Sequence, residues 1–226
     1  LLEESLKNLQ TDHLDTWQLH NVQRQNEVDQ IFAAGGAIKA MEKAKAEGMV
    51  RNIGITGHFE PLVLLEAIKR YPFDSILMAV NAADIHYLSF KNYLLPEAQK
   101  QIIAIIGMKV TTRSRMLSSW TPPPVEEQTD ARLRTPKPGT ISIKEALTYN
   151  MSLPVSTSII GVDSVAQIEE NVKIASGFSP MSQAQMEEIE VKTLPIVRQG
   201  LYFRRWDIGV SEAYFLPCTS EITFCD

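Results

Sequence analysis

The apolar positions of this chain alternate between two periods, one helical and one of two residues. Leu2, Leu6 and Leu9 recur at helical spacing, so the first residues already belong to an amphipathic helix. A β-type run, HLDTWQLH, follows at residues 13–20. Residues 37–48 read as a helix closed by Gly48, the residue type that ends helices in the left-handed conformation. A short strand, VRNIGIT, spans 50–56. The helix predicted over 60–71 carries Leu62, Leu65 and Ile68 on one face and is stopped by Pro72. A nearly wholly apolar strand at 73–80, a helix at 92–101 and a strand apolar on both faces at 102–108 complete this part.

Residues 111–140 break the rhythm, with Pro122-Pro123-Pro124, Pro136, Pro138 and Gly139 and few apolar positions, and they read as a long irregular loop. Regularity returns with a helix at 141–150, a fifth strand at 154–160 and a helix at 164–175 striped by Val165, Ile168, Val172 and Ala175. Ser164 with Gln167, and Ser182 with Gln185, have the spacing of capping boxes. Strands apolar on both faces that alternate with amphipathic helices predict a parallel sheet covered by helices. Five strand candidates suit either a doubly wound sheet or part of a (β/α)8 barrel. No G-x-G-x-x-G follows any of them.

Composition narrows the class of partner. The chain has 226 residues, 44% of them hydrophobic and 22% charged, which fits one sizeable globular domain. A complete (β/α)8 barrel uses about 250 residues. The net charge of −5 argues against nucleic acid as a partner. No apolar run is long enough to predict a membrane span. Cys218 and Cys225 form a C-x6-C pair, which is no metal or redox signature, and no metal site is expected. The opening helix has no lead-in, so upstream sequence is expected to be missing. The expected location is the cytoplasm, with any export signal lost upstream.

Loops after parallel strands build the ligand site in either architecture. The predicted strand ends are His20-Asn21, Thr56-Gly57-His58, Asn81, Met108-Lys109 and Gly161-Val162-Asp163-Ser164. The segments around them are SLKNLQTDHLDTWQLH, AIKAMEKAKAEGMVRNIGITGHF, IIGMKV and STSIIGVDSVAQIEENVKIA. Together they resemble the aldo-keto reductases over residues 1 to about 206. NAADIHYLSF and YFRRW resemble one microbial subgroup. The resemblance implies a (β/α)8 TIM barrel represented by its last five strand–helix units, N-terminally truncated. Residues 207–226 are left as an unassigned tail. It also implies an oxidoreductase that uses NADP(H), or NAD(H), to reduce a small-molecule carbonyl substrate, an aldehyde or ketone. It leaves the oligomeric state open.

By that resemblance His20 is the active-site histidine that bonds the reacting carbonyl oxygen, and Thr56 holds the nicotinamide carboxamide. Gly57 stands where the family usually has Asn, and Leu77 where many members have Gln. Asn81 lies on the same rim. Met108 replaces an aromatic that stacks on the nicotinamide, and Lys109 faces the pyrophosphate. Gly161, Val162, Asp163, Ser164, Gln167 and Asn171 match the adenosine-phosphate segment. A glycine and a helix N-terminus suit phosphate on physical grounds as well, although an ordinary capped helix needs no more than these residues. Arg113 and Arg115 suit either phosphate pairing or a solvated basic loop.

The family's proton donor is a Tyr tuned by a Lys and an Asp, because a phenol with a pKa of about 10 needs a nearby cation to give up its proton at neutral pH. None of the nineteen residues before His20 is a Tyr, and Lys7, Asp12 and Asp15 match none of those positions. The chain alone is therefore expected to be inactive. Two other readings stay open. One is a non-catalytic cofactor-binding or interaction subunit. The other is an aldolase, for which Lys109 is the sole Schiff-base candidate at a strand end.

Overall fold

The computed structural model describes residues 1–119 and 138–206. Most of the proline-rich stretch, the tail after Trp206 and both cysteines lie outside the described residues.

The chain starts in α1 (Leu2–Leu9), whose buried Leu2 and Leu6 pack with Ala44 and Val50. Then come β1 (Leu14–Leu19), α2 (Gln25–Ile31), α3 (Ala37–Ala46) and β2 (Val50–Gly57). α4 (Pro61–Arg70), β3 (Ser75–Ala79), α5 (Phe90–Tyr93), α6 (Leu95–Lys100) and β4 (Ala104–Met108) follow. β5 (Leu117–Ser119) and β6 (Ile141–Ser142) pair only with each other. The chain continues with α7 (Ile143–Ser152), β7 (Thr157–Ser158), α8 (Val165–Ser176), α9 (Gln183–Thr193) and α10 (Val197–Gly200).

One parallel sheet runs in the order β1-β2-β3-β4-β7. Each strand lies beside the next in sequence, apart from the β5–β6 excursion. A doubly wound sheet would reverse its strand order at a switch point; this one does not, and it progresses as a (β/α)8 barrel does. Ile53, Ile55, Ile76 and Met78 are fully buried between sheet and helices, each worth about 1.5–3 kcal/mol of apolar burial.

Several elements depart from their predicted form. The helix at 92–101 is broken at Leu94 into α5 and α6, because Pro96 has no N–H and its ring crowds the preceding turn. Ile102 is not in β4. It takes φ 59° as the left-handed residue that ends α6, with the N–H of Ile103 bonded to the carbonyl of Ala98. Gly48 ends α3 in the same way at φ 78°, as its residue type predicts. The fifth strand shrinks from 154–160 to Thr157–Ser158. The buried face of α4 is Pro61, Val63, Leu64, Ala67 and Ile68; of the predicted stripe Ile68 is on it, while Leu62 and Leu65 are only partly buried. α2 has no counterpart in the sequence reading.

The irregular stretch at 111–140 is anchored at both ends. Met116, Leu117 and Ile141 are buried in the core, and Ser142 caps α7 by accepting from the N–H of Glu145 while the Glu145 carboxylate accepts from the N–H of Ser142. The stripe on α8 does not meet the core. Val165 is 70% exposed, Ile168 47% and Val172 58%, because the sheet stops at β7 among the described residues. Periodicity reports a stripe, not the surface it packs on.

Candidate active site

All five strands leave the sheet on the same side, so their C-terminal loops converge. After β1, His20 is exposed and Asn21 takes φ 55°, with its buried Oδ1 unpartnered. The next residue ties this loop to β2, because the Val22 N–H donates to the Thr56 carbonyl at 2.8 Å. Thr56 is buried and lies directly across from Leu77 in the β2–β3 register. A Cβ on Gly57 would come within 2.7 Å of the Val22 carbonyl oxygen, so this loop occupies the room that an Asn side chain would need.

His58 follows. It is half-buried, and its Nδ1 has no partner. Burial holds the imidazole pKa down to about 4, and the charges of Lys109, His20 and Arg204 push the same way, so the ring is neutral at pH 7.

Asn81, after β3, is buried and turned inward. Its Nδ2 donates to the Lys109 carbonyl at 3.2 Å, and its Oδ1 accepts from the N–H of Ala83 at 2.9 Å. It fixes the rim rather than facing a ligand with its amide. After β4, Met108 is 8% exposed and Lys109 takes φ 60°. Burial, followed by the nearby Arg113, pushes the Lys109 ammonium below the usual lysine range, and among the described residues no acid opposes the shift. Thr112, Arg113 and Ser114 then form a left-handed turn at φ 50°, 53° and 63°. The Thr112 N–H donates to Lys109 O and the Arg115 N–H to Thr112 O.

This turn faces the loop after β7 across a cleft of about 660 Å³, within the roughly 300–1,000 Å³ usual for a cofactor or ligand site. Lys109, Arg113 and Arg115 line one wall and Gly161, Val162 and Asp163 the other. A recess of about 30 Å³ adjoins it, reaching Gln167 and Asn171. Ser164 caps α8 by accepting from the N–H of Gln167 at 3.3 Å. The returning bond differs from a capping box: Gln167 Oε1 accepts from Asp163 N–H at 2.7 Å, one residue upstream.

The site residues expected from the sequence thus fall into groups. Met108, Lys109, Gly161, Val162 and Asp163 line one cleft, and Gln167 and Asn171 the recess beside it. Thr56 and Asn81 lie buried behind it. His20 is exposed and not part of that lining, within electrostatic reach of His58. Among the described residues, the buried side-chain atoms without partners are Asn21 Oδ1, His58 Nδ1, Thr112 Oγ1, Arg204 Nε and Asn92 Nδ2, and all but the last belong to this strand-end face. Orphaned polar atoms gather where a ligand supplies the missing bonds.

Two tyrosine hydroxyls are committed elsewhere. That of Tyr87 donates to the Arg205 carbonyl, and that of Tyr149 to the Glu190 carboxylate. His58 and Arg204 belong to the face; the sequence marked His58 only as part of the β2 strand end and gave it no role, and Arg204 only within YFRRW. YFRRW was visible as a motif; nothing in its composition says that it docks here.

The model of the Aldo/keto reductase family matches residues 1–193. The uncharacterized oxidoreductase YqkF of Bacillus subtilis is 24% identical over 218 residues, covering 89% of this chain and 66% of that protein. An aldo-keto reductase of Bacillus halodurans, solved in a holo form, superposes with a TM-score of 0.62 at 24% identity, over 84% of this chain and 64% of that one. An aldo-keto reductase of Klebsiella pneumoniae, solved in complex with NADPH, gives 0.58 at 18% identity, over 85% and 63%. The chain therefore spans just under two thirds of the length of these relatives. Among the described residues no helix is long and apolar enough to cross a membrane.

Proposed function

The chain belongs to the aldo/keto reductase family, and from that premise we propose that its cleft holds a nicotinamide dinucleotide used to reduce the carbonyl of an aldehyde or ketone. The observation that carries this reading is the cleft itself. Three cations line one wall, and a glycine with the N-terminus of a twelve-residue helix lies at the other. Phosphate oxygens suit both, since cations neutralise them and free N–H groups at a helix start bond them. NADP(H) is the preferred form, after the Klebsiella relative, and NAD(H) the second.

When bound, the dinucleotide supplies the hydride. The protein's own residues bind and orient. Lys109 and Arg113 hold phosphate, and Met108 packs its thioether against the apolar ring. Thr56 and Asn81 keep the rim in register, and His20 holds the substrate oxygen. The proton donor is not among these residues, and the hydroxyls of Tyr87 and Tyr149 are engaged inside the protein. That engagement also favours a second reading, a cofactor-binding chain that does not itself turn substrate over.

Fluorescence titration of the purified 226-residue chain with NADPH and NADH, followed by an assay on a panel of aldehydes, tests both. Binding is expected, weakened about tenfold by Lys109→Met, the scale of one lost charge-assisted contact. Turnover is expected to be negligible. Failure to bind either nucleotide sinks the cofactor reading. Robust turnover sinks the statement about the proton donor.

A further inference from the structure

Beyond residue 193, where the family match ends, the chain returns to the site. α10 leads into residues 201–206, a strap laid across the ends of β2 and β3. Its anchor is Arg204, whose guanidinium has no exposed surface. It donates to the His58 carbonyl at 2.7 Å and the Ala79 carbonyl at 3.1 Å, pairs with Asp84, and lies 4.1 Å from the centre of the Phe90 ring. A second anchor is Trp206, stacked on Tyr87 at 4.0 Å with 5° between the planes.

Just ahead of the Arg204 anchor, two aromatic rings face the cleft's cations. The Arg115 guanidinium sits 4.0 Å from the centre of the Tyr202 ring, and the Lys109 ammonium 5.9 Å from that of Phe203. Phe203 also meets the His58 ring edge-on at 6.3 Å.

We propose that Tyr202 and Phe203 are positioning residues of the cleft: each presents an aromatic face to one of its cations, and the buried Arg204–Asp84 pair holds both faces in place. The inference rests on reading the cleft as a dinucleotide site. Its physical basis is the difference between an aromatic face and a carboxylate as a partner. A carboxylate restrains a lysine or arginine but cancels its charge and takes its N–H groups. A ring face attracts the cation through its quadrupole and leaves the charge and the donors for a phosphate. Long side chains already restrained also lose less rotamer freedom when the anion arrives.

The test uses the full 226-residue chain with NADPH as probe, together with nuclear magnetic resonance of ¹³C-methylated lysines. The Lys109 signal, assigned by its loss in Lys109→Met, is expected to carry an upfield ring-current shift. Phe203→Leu is expected to abolish that shift, and Phe203→Tyr to keep it. Tyr202→Leu and Phe203→Leu should each weaken NADPH binding about threefold, the scale of one exposed cation–π contact, while Tyr202→Phe and Phe203→Tyr bind as the wild type does. Absence of the shift in the wild type overturns the strap, whatever the nucleotide does and whether or not the leucine variants fold. Leucine variants that lose the shift but bind NADPH normally overturn the positioning role. A wild type that shows the shift but binds no nucleotide overturns the cofactor reading and leaves the strap standing.

Discussion

The loop after β3 and the loop after β4 leave neighbouring strands, yet they treat charge in opposite ways. In the first, Asp84 is fully buried and accepts from the Ser89 hydroxyl and the N–H groups of Phe90 and Lys91, with Arg204 paired to it. Burial pushes the Asp84 carboxyl up and the Arg204 guanidinium down to about 10, while their pairing and the other donors around the carboxylate oppose these shifts. In the second, Arg113 is exposed and Lys109 is half-buried with no acid beside it among the described residues, on a backbone that runs left-handed through Thr112, Arg113 and Ser114. The first loop spends its polar groups on the protein, whereas the second keeps them for something else. A closed network suits a scaffold, and an open one leaves its cations for a ligand such as the dinucleotide proposed above.

The most forceful way to break this comparison is to remove the counter-charge from the closed loop. Asp84→Asn leaves the Arg204 guanidinium buried and uncompensated, which costs about 3–5 kcal/mol of stability. Arg113→Met in the open loop should change stability by no more than about 0.5 kcal/mol, as exposed substitutions do. Guanidinium denaturation of both variants measures the contrast. Equal losses would erase the distinction between scaffold and wall.

His58 sits between the two loops, since Arg204 bonds its carbonyl and Lys109 acts on its ring. The imidazole titrates at 6.5 in the unfolded chain and about 4 in the folded one. Between those values the unfolded state takes up a proton that the folded state refuses. The stabilisation is therefore full above pH 6.5 and is lost as pH falls toward 4, on the order of 1–2 kcal/mol once solvent screening at a partly exposed ring is allowed for. Melts of the wild type and His58→Gln from pH 7.5 to 4 sharpen the point. The difference between them should shrink or change sign over that window, and a difference independent of pH would show that the ring is not desolvated.

What the sequence made legible follows the same division. Gly48 announced the end of α3 because its residue type carries the left-handed conformation. Gln10 and Ile102 end α1 and α6 with the same hydrogen-bond pattern, and their residue types announce nothing. The strand order was readable as a parallel sheet from apolar runs, whereas the shrinkage of β7 depends on what lies beyond it in space. That Met108, Lys109 and Gly161–Asp163 share one cleft was legible because they sit at or just beyond strand ends. Asn81 was assigned to the right rim, but its amide turns inward to Lys109, which no spacing reveals. Arg204 was illegible as a site residue, because its partners lie more than a hundred residues away.

The finest comparison lies within the open loop's own backbone. The left-handed conformation costs an L-residue about 1–2 kcal/mol, so the turn at 112–114 stores strain at three successive residues, where the closed loop carries it at Leu88 alone, φ 45°. Ser114, at φ 63°, is the place to release it, since its side chain carries no charge. Ser114→Gly removes the Cβ clash but gains freedom in the unfolded state, which takes back about 0.4–1 kcal/mol. The net expectation is a stabilisation of about 0.5 kcal/mol, seen as a rise in Tm of roughly 1–2 °C. If the strain also fixes the direction of Lys109 and Arg113 into the cleft, the same variant binds NADPH more weakly than the wild type while melting higher. A higher Tm with unchanged affinity would mean that the left-handed turn is strain without a task. Loss of both would mean that the Ser114 side chain itself holds the wall.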